Sequence, residues 1–173
     1  MSAEFNIGDF VVYDVYGICK ILRTENISFS KGTPKTAYYV LSPVNAPSST
    51  YYIPLSGEIA AQKLRPPMTE KEIQALLLES RKFSPDWIEK RQERHDYANR
   101  ILSAGITPEL ISLIGCLYNR NQQLEAQGKK LNSTDNNIFL SAEKMVREEF
   151  SFCLDIAPED VSRYIHDFMK EAL

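Results

Sequence analysis

Trp87, the only tryptophan in the chain, stands among cations: Lys82 precedes it, and Lys90, Arg91 and Arg94 follow. Cations neutralise phosphates, so this grouping suits a polyanion held without regard to its sequence. A plain structural alternative is that Trp87 closes the end of a core, with Arg91 and Arg94 lying along it and reaching water at their tips. The local pattern predicts a helix from Ser84 to about Gly105, because Ser84 can cap it, Pro85 fits its first position and Gly105 suits its end. At about 100° per residue, Arg91, Arg94 and Ala98 fall within about 40° of Trp87, and Lys90 about 60° to one side. Glu89, Glu93 and Asp96 take the opposite face, while Ile101 and Leu102 carry the Trp87 stripe toward a core. Arginines in the front half of that stripe argue against full burial, since an unpaired buried charge is costly. The wheel therefore predicts an exposed Trp87, whose removal costs within about 1 kcal/mol of stability.

Residues for covalent or acid–base chemistry are sparse. His95 and His166 are the only histidines, and a nucleophilic pair of Cys116 with His95 has no third group to orient it. Glu148-Glu149 and Glu159-Asp160 read as solvated helix faces or caps, not as acid–base partners. Gly105, Gly115 and Gly128 make no phosphate loop. Cys19, Cys116 and Cys153 lack metal-ligand spacing. The expectation is a protein that is not an enzyme, with no cofactor, no metal and no small-molecule substrate.

The 173 residues are 43% hydrophobic and 25% charged, which suits one or two domains with a real core. A net charge of −3 excludes a generic polyanion binder, but the balance is uneven. Residues 81–130 hold nine Lys and Arg against six Asp and Glu, whereas residues 131–173 hold four against nine. Any polyanion site therefore belongs to the middle of the chain. Scattered, odd-numbered cysteines suit a reducing compartment. The start of the chain carries no basic-then-apolar signal, and no apolar run approaches the roughly 18 residues of a membrane span. The expected location is the cytosol, away from membranes.

Stepping along the chain, residues 1–66 read as β. Expected strands are Phe10–Tyr13, Tyr16–Leu22, Glu25–Phe29, Ala37–Leu41 and Thr50–Pro54, separated by turns such as Ser30–Pro34 and the loop Pro43–Ser49. Short strands packed this closely predict a small barrel or strongly bent sheet. Pro66-Pro67 marks a boundary, and from there the period turns helical. Thr69 and Glu72 form a capping box, Thr107-Pro108 and Asn132-Ser133 open two further helices, and Pro158 opens a last one. Candidate core positions are Leu110, Ile111, Leu113, Ile114, Leu117 and Leu124, then Ile138, Leu140, Met145, Phe150 and Phe152, then Val161, Tyr164, Ile165 and Phe168. The second half is thus expected to be an all-α bundle of about five helices.

Phe5-x-Ile7-Gly8-Asp9-x-Val11-Val12-Tyr13-x-x-Tyr16-Gly17-Ile18, then Tyr38-Tyr39-Val40-Leu41, Ile53-Pro54 and Leu64-Arg65, resembles the CarD/CdnL family of bacterial transcription regulators. The same module is similar to the RNA-polymerase-interacting domain of transcription-repair coupling factor. Further on, Trp87 with its basic followers, Leu102-Ser103-Ala104-Gly105, Leu117-Tyr118-x-Arg120 and Leu131-Asn132-Ser133 lie in the family's order, so the resemblance covers about residues 4 to 155. It implies an α+β protein: a Tudor-like barrel over 1–66 and a helical DNA-binding domain over 67–173. It implies that the barrel docks on the RNA polymerase β subunit by pairing sheet edges, through Ile27, Ser28, Phe29 and Tyr52. It also implies that Trp87 wedges into promoter DNA at the upstream edge of the bubble, with Lys82, Lys90, Arg91 and Arg94 beside it. The function so implied is stabilisation of the open promoter complex by a nucleoid-associated regulator. A different reading is an adaptor on polymerase that touches no DNA, and an exposed, positive surface around Trp87 would separate the two.

Overall fold

In the computed structural model the described residues are 5–13, 16–83 and 86–171. The chain divides into two compact units, one running up to Pro67 and the other from Met68 onward.

The first unit is an antiparallel sheet of β1 (Phe10–Tyr13), β2 (Gly17–Ile27), β3 (Thr36–Pro43), β4 (Tyr51–Pro54) and β5 (Leu64–Arg65), in the order β4-β3-β2-β1-β5. Cross-strand partners share a face of the sheet. The pairs Val11 with Cys19, Ile21 with Leu41, and Tyr39 with Ile53 therefore gather in one core, which Leu64 joins. The ladder between β2 and β3 shifts register between Ile21 and Arg23, leaving Leu22 exposed and bending the strand.

Two expectations change here. The strands expected over Tyr16–Leu22 and Glu25–Phe29 are one continuous strand, because β3 pairs with β2 on both sides of the bulge. That strand ends at Ile27, so Ser28 and Phe29 lie in the turn beyond it. The α+β class holds, and the sheet is open: among the described residues no ladder joins β4 to β5. Helix α1 (Glu58–Lys63), which the sequence pattern did not reveal, packs against both β4 and β5 instead. A two-residue β5 also offers too few hydrogen bonds to close a ring.

The second unit holds α2 (Glu70–Ser80), α3 (Arg91–Ser103), α4 (Pro108–Glu125), α5 (Ser133–Leu154) and α6 (Val161–Lys170), with a 3-10 turn at Pro158–Asp160. Local chemistry sets most of the ends. The Thr69 hydroxyl accepts from the Glu72 N–H while Glu72 accepts from the Thr69 N–H, which satisfies two orphan donors at once. The Thr107 hydroxyl accepts from the Leu110 N–H, and Asn132 Oδ1 accepts from the Asp135 N–H. Gly105 takes φ +84° just past α3, a left-handed conformation that a side chain resists. Ile73, Leu77, Ile101, Leu110, Ile111, Ile114, Phe150 and Ile165 are fully buried in one core. On α5 the buried stripe runs through Ile138, Ala142, Val146 and Phe150. Leu140 and Phe152, expected inside, fall off that stripe and are exposed. No described helix is long and apolar enough to cross a membrane.

Candidate functional site

Trp87 lies before α3, not on it. The helix begins at Arg91, several residues beyond the start expected at Ser84-Pro85, which fall outside the described residues. Lys90 takes the N-cap position in an extended conformation and offers no side-chain cap. The physical reason for the late start is Arg94. Its Nη1 donates to the Ile88 carbonyl at 2.6 Å and to the Glu89 carbonyl at 3.2 Å, so the segment after Trp87 is held out of the helix. The helical wheel drawn from Trp87 therefore does not describe its surroundings. The indole is partly buried and packs against the core of the second unit, so the exposed Trp87 drawn from the wheel is corrected.

Two guanidinium groups lie against the indole. Arg94 Cζ stands 4.4 Å from the ring centroid and Arg120 Cζ, from α4, stands 5.0 Å from it. Both distances suit cation–π attraction. Below the ring lies a narrow apolar pocket lined by Tyr97, Leu113, Cys116, Leu117 and Ile138. Arg94 also forms a two-pronged bond with Asp135 on α5, Nε to Oδ1 at 2.9 Å and Nη2 to Oδ2 at 2.7 Å. The side chains are 11% and 1% exposed, so this pair is inside the fold. Burial alone would raise the Asp135 carboxyl. Hydrogen bonds from Arg94 and Asn132, together with the Arg94 charge, outweigh it and hold the group below its ordinary range.

The other cations face water. Lys82, Lys90 and Arg91 are exposed, as are Lys129 and Lys130 just ahead of the α5 cap. Lys90 Nζ bonds Glu93 at 2.8 Å, and Arg91 Nη2 donates to Thr134 Oγ1 at 2.7 Å. Arg91 thereby ties the first turn of α3 to the first turn of α5, where the positive ends of two helix dipoles add to the lysines and arginine. Lys129 and Lys130 escaped the sequence reading; the signal was their position immediately before the Asn132 cap.

In the first unit, Phe29 and Tyr52 meet. Their ring centroids are 5.8 Å apart, and Tyr38 lies 5.2 Å from Phe29, both edge-to-face. Phe29 is 65% and Tyr52 39% exposed, so this is an aromatic patch open to water. Ser28 works inside the turn: its Oγ donates toward the Ser30 and Thr33 carbonyls, at 2.8 and 2.9 Å, while Ile27 is partly buried at the end of β2. Tyr38 was missed because only the strand register, which sets it opposite Pro54, brings it beside Tyr52. β4 is the terminal strand of the sheet, with β3 on one side.

Catalytic alternatives gain nothing from the geometry. The Cys116 thiol is raised by burial, which outweighs a lowering by Arg120, and Asp86 adds a smaller push upward, the reverse of what a nucleophile needs. His95 Nε2 is buried without a hydrogen-bond partner. Among the described residues no cluster of His, Cys, Asp and Glu could hold a metal ion. No curated protein matches the chain. Residues 5–65, which take in all five strands, match the family model described as the CarD-like/TRCF RID domain.

Proposed function

We propose that this chain, whose residues 5–65 match the CarD-like/TRCF RID domain model, is a bacterial transcription regulator that stabilises the open promoter complex. The family match over the whole sheet, with an aromatic patch beside the terminal strand β4, is the observation that carries this reading. In the mechanism, the polymerase β subunit adds a strand to the β4 edge, where main-chain hydrogen bonds give affinity and Phe29, Tyr38 and Tyr52 lose water against the partner. Ile27 and Ser28 shape the turn that presents Phe29.

The second unit then acts at the upstream edge of the bubble, in the cytosol and on nucleoid DNA. Lys82, Lys90 and Arg91 contact phosphates, which position a protein on DNA without reading sequence. Trp87 enters the minor groove and supplies an apolar partner to an unstacked base step. Docking through the first unit raises the local concentration of the second, which compensates for a chain of net charge −3. Arg94 serves this site from within, since four of its five N–H groups are already engaged.

The test uses the full chain with polymerase and a promoter. Replacing Tyr52 and Phe29 with Ala should abolish capture of the β subunit. Trp87→Ala should leave capture intact and shorten the open-complex half-life to nearly that of polymerase alone. If Trp87→Ala and the variant Lys90→Glu/Arg91→Glu both keep the full half-life, the chain is an adaptor that touches no DNA.

A further inference from the structure

We propose that the Arg94–Asp135 pair is the positioning device of Trp87, fixing the indole for insertion before DNA arrives. The inference rests on the reading of Trp87 as the DNA-facing wedge. One guanidinium binds at three places: the carboxylate of Asp135, the two carbonyls that follow Trp87, and the indole ring itself. Because the guanidinium is planar and rigid, these contacts are not independent. Setting its fork on Asp135 sets where Ile88 and Glu89 lie, and hence where the chain carries Trp87.

Asp135 is fixed in turn. Its backbone N–H donates to Asn132 Oδ1 at 2.9 Å, and Asn132 Nδ2 donates to Asp135 Oδ2 at 2.5 Å. The α5 cap thus orients the carboxylate, which orients Arg94, which orients the Trp87 segment. The 2.7 Å bond from Arg91 to Thr134 holds the same two helix starts together. Arg120 reaches the ring from α4, with its Nε buried and unpartnered by any hydrogen bond. Three helices therefore converge around one side chain that sits on a segment outside any helix or strand. A flexible segment would have to be ordered on binding, at a cost in affinity. Here that ordering is already present in the free protein.

A buried ion pair of this kind is often no more stable than apolar residues of similar size. This property separates positioning from stability. The variant Arg94→Met/Asp135→Leu removes both charges together and leaves none orphaned, while Arg94→Lys keeps the charge but loses the fork. Trp87 is the only tryptophan, so its emission and anisotropy report this position alone.

In the full chain, both variants should hold their far-ultraviolet circular dichroism and still capture polymerase. Both should show a red-shifted Trp87 emission, a lower Trp87 anisotropy and a loss of most of the gain in open-complex half-life. Unchanged anisotropy and half-life in either folded variant overturn the positioning role. Should the double variant unfold, Arg94→Lys alone decides by the same readouts. An unfolded Arg94→Lys would also overturn the proposal, since the pair would then be a support of the fold. Trp87→Ala, run alongside, separates the two readings. If it keeps the full half-life, the wedge itself fails; if it shortens the half-life and the pair variants do not, only the positioning device fails.

Discussion

The molecule presents aromatic rings in two different ways. Phe29, Tyr38 and Tyr52 stand edge-to-face on the sheet of the first unit, with Phe29 and Tyr52 open to water. Trp87 in the second unit is partly buried, with a guanidinium from α3 and another from α4 against its ring. The first arrangement leaves apolar surface to be dried by a partner, which suits contact with protein. The second holds its ring against the Arg120 guanidinium and an Arg94 already neutralised by Asp135, while the exposed Lys90 and Arg91 that follow in the chain are the charges that suit a polyanion. The first is held mainly by the strand ladder, the second by one charged network.

That difference can be broken most forcefully at Asp135. Asp135→Ala orphans the buried Arg94 charge and should cost about 3–5 kcal/mol, read from urea unfolding. If it costs no more than Phe29→Ala, the two sites do not differ in the way described. The same carboxylate gives the second unit an acid limit. Its pKa is held below the ordinary range in the fold. The pair's stabilisation is therefore fully present above the ordinary carboxylate pKa and is lost as pH falls through the lowered value. Asp135→Asn should flatten that acid limb in melts from neutral to strongly acidic pH.

The next largest effect is at the sheet patch. Phe29→Ala should leave folding stability within about 0.5 kcal/mol yet weaken polymerase binding by about 2 kcal/mol, as removal of an interface anchor does. A loss of fold with no loss of specific affinity would make the patch structural. Trp87→Ala should cost about 1–2 kcal/mol, between an exposed and a fully buried residue. A cost near zero would return Trp87 to the surface drawn by the wheel. The smallest effect is that of salt. With Lys82, Lys90 and Arg91 as phosphate contacts, log affinity for DNA against log salt should have a slope of about −2 to −4. A slope near zero would remove the polyanion from the comparison.

These particulars also show what is legible in the sequence. The caps at Thr69, Thr107 and Asn132 were readable, because each is settled by a side chain three residues from the N–H it serves. The start of α3 was not, because a carboxylate 41 residues away recruits the guanidinium that holds back Ile88 and Glu89. The cations near Trp87 were visible as a group, but their division into internal Arg94 and outward Lys90 and Arg91 depends on α5. Phe29 and Tyr52 were named through family resemblance, whereas Tyr38 needed the register of β3 with β4. The open sheet was hidden for a similar reason: α1 packs against both β4 and β5, and a six-residue helix leaves little periodicity to read.

β4 has a second consequence, for self-association. An edge that accepts a foreign strand also accepts a copy of itself, the first step toward aggregation. This chain limits that hazard by brevity. β4 is four residues long and ends in Pro54, whose nitrogen carries no hydrogen to donate. A second copy would find a short ladder with a missing donor, too little to hold two identical strands, whereas a partner that also covers Phe29 and Tyr52 gains the aromatic surface that the bare edge lacks. β4 is therefore a poor template for pairing with its own copy.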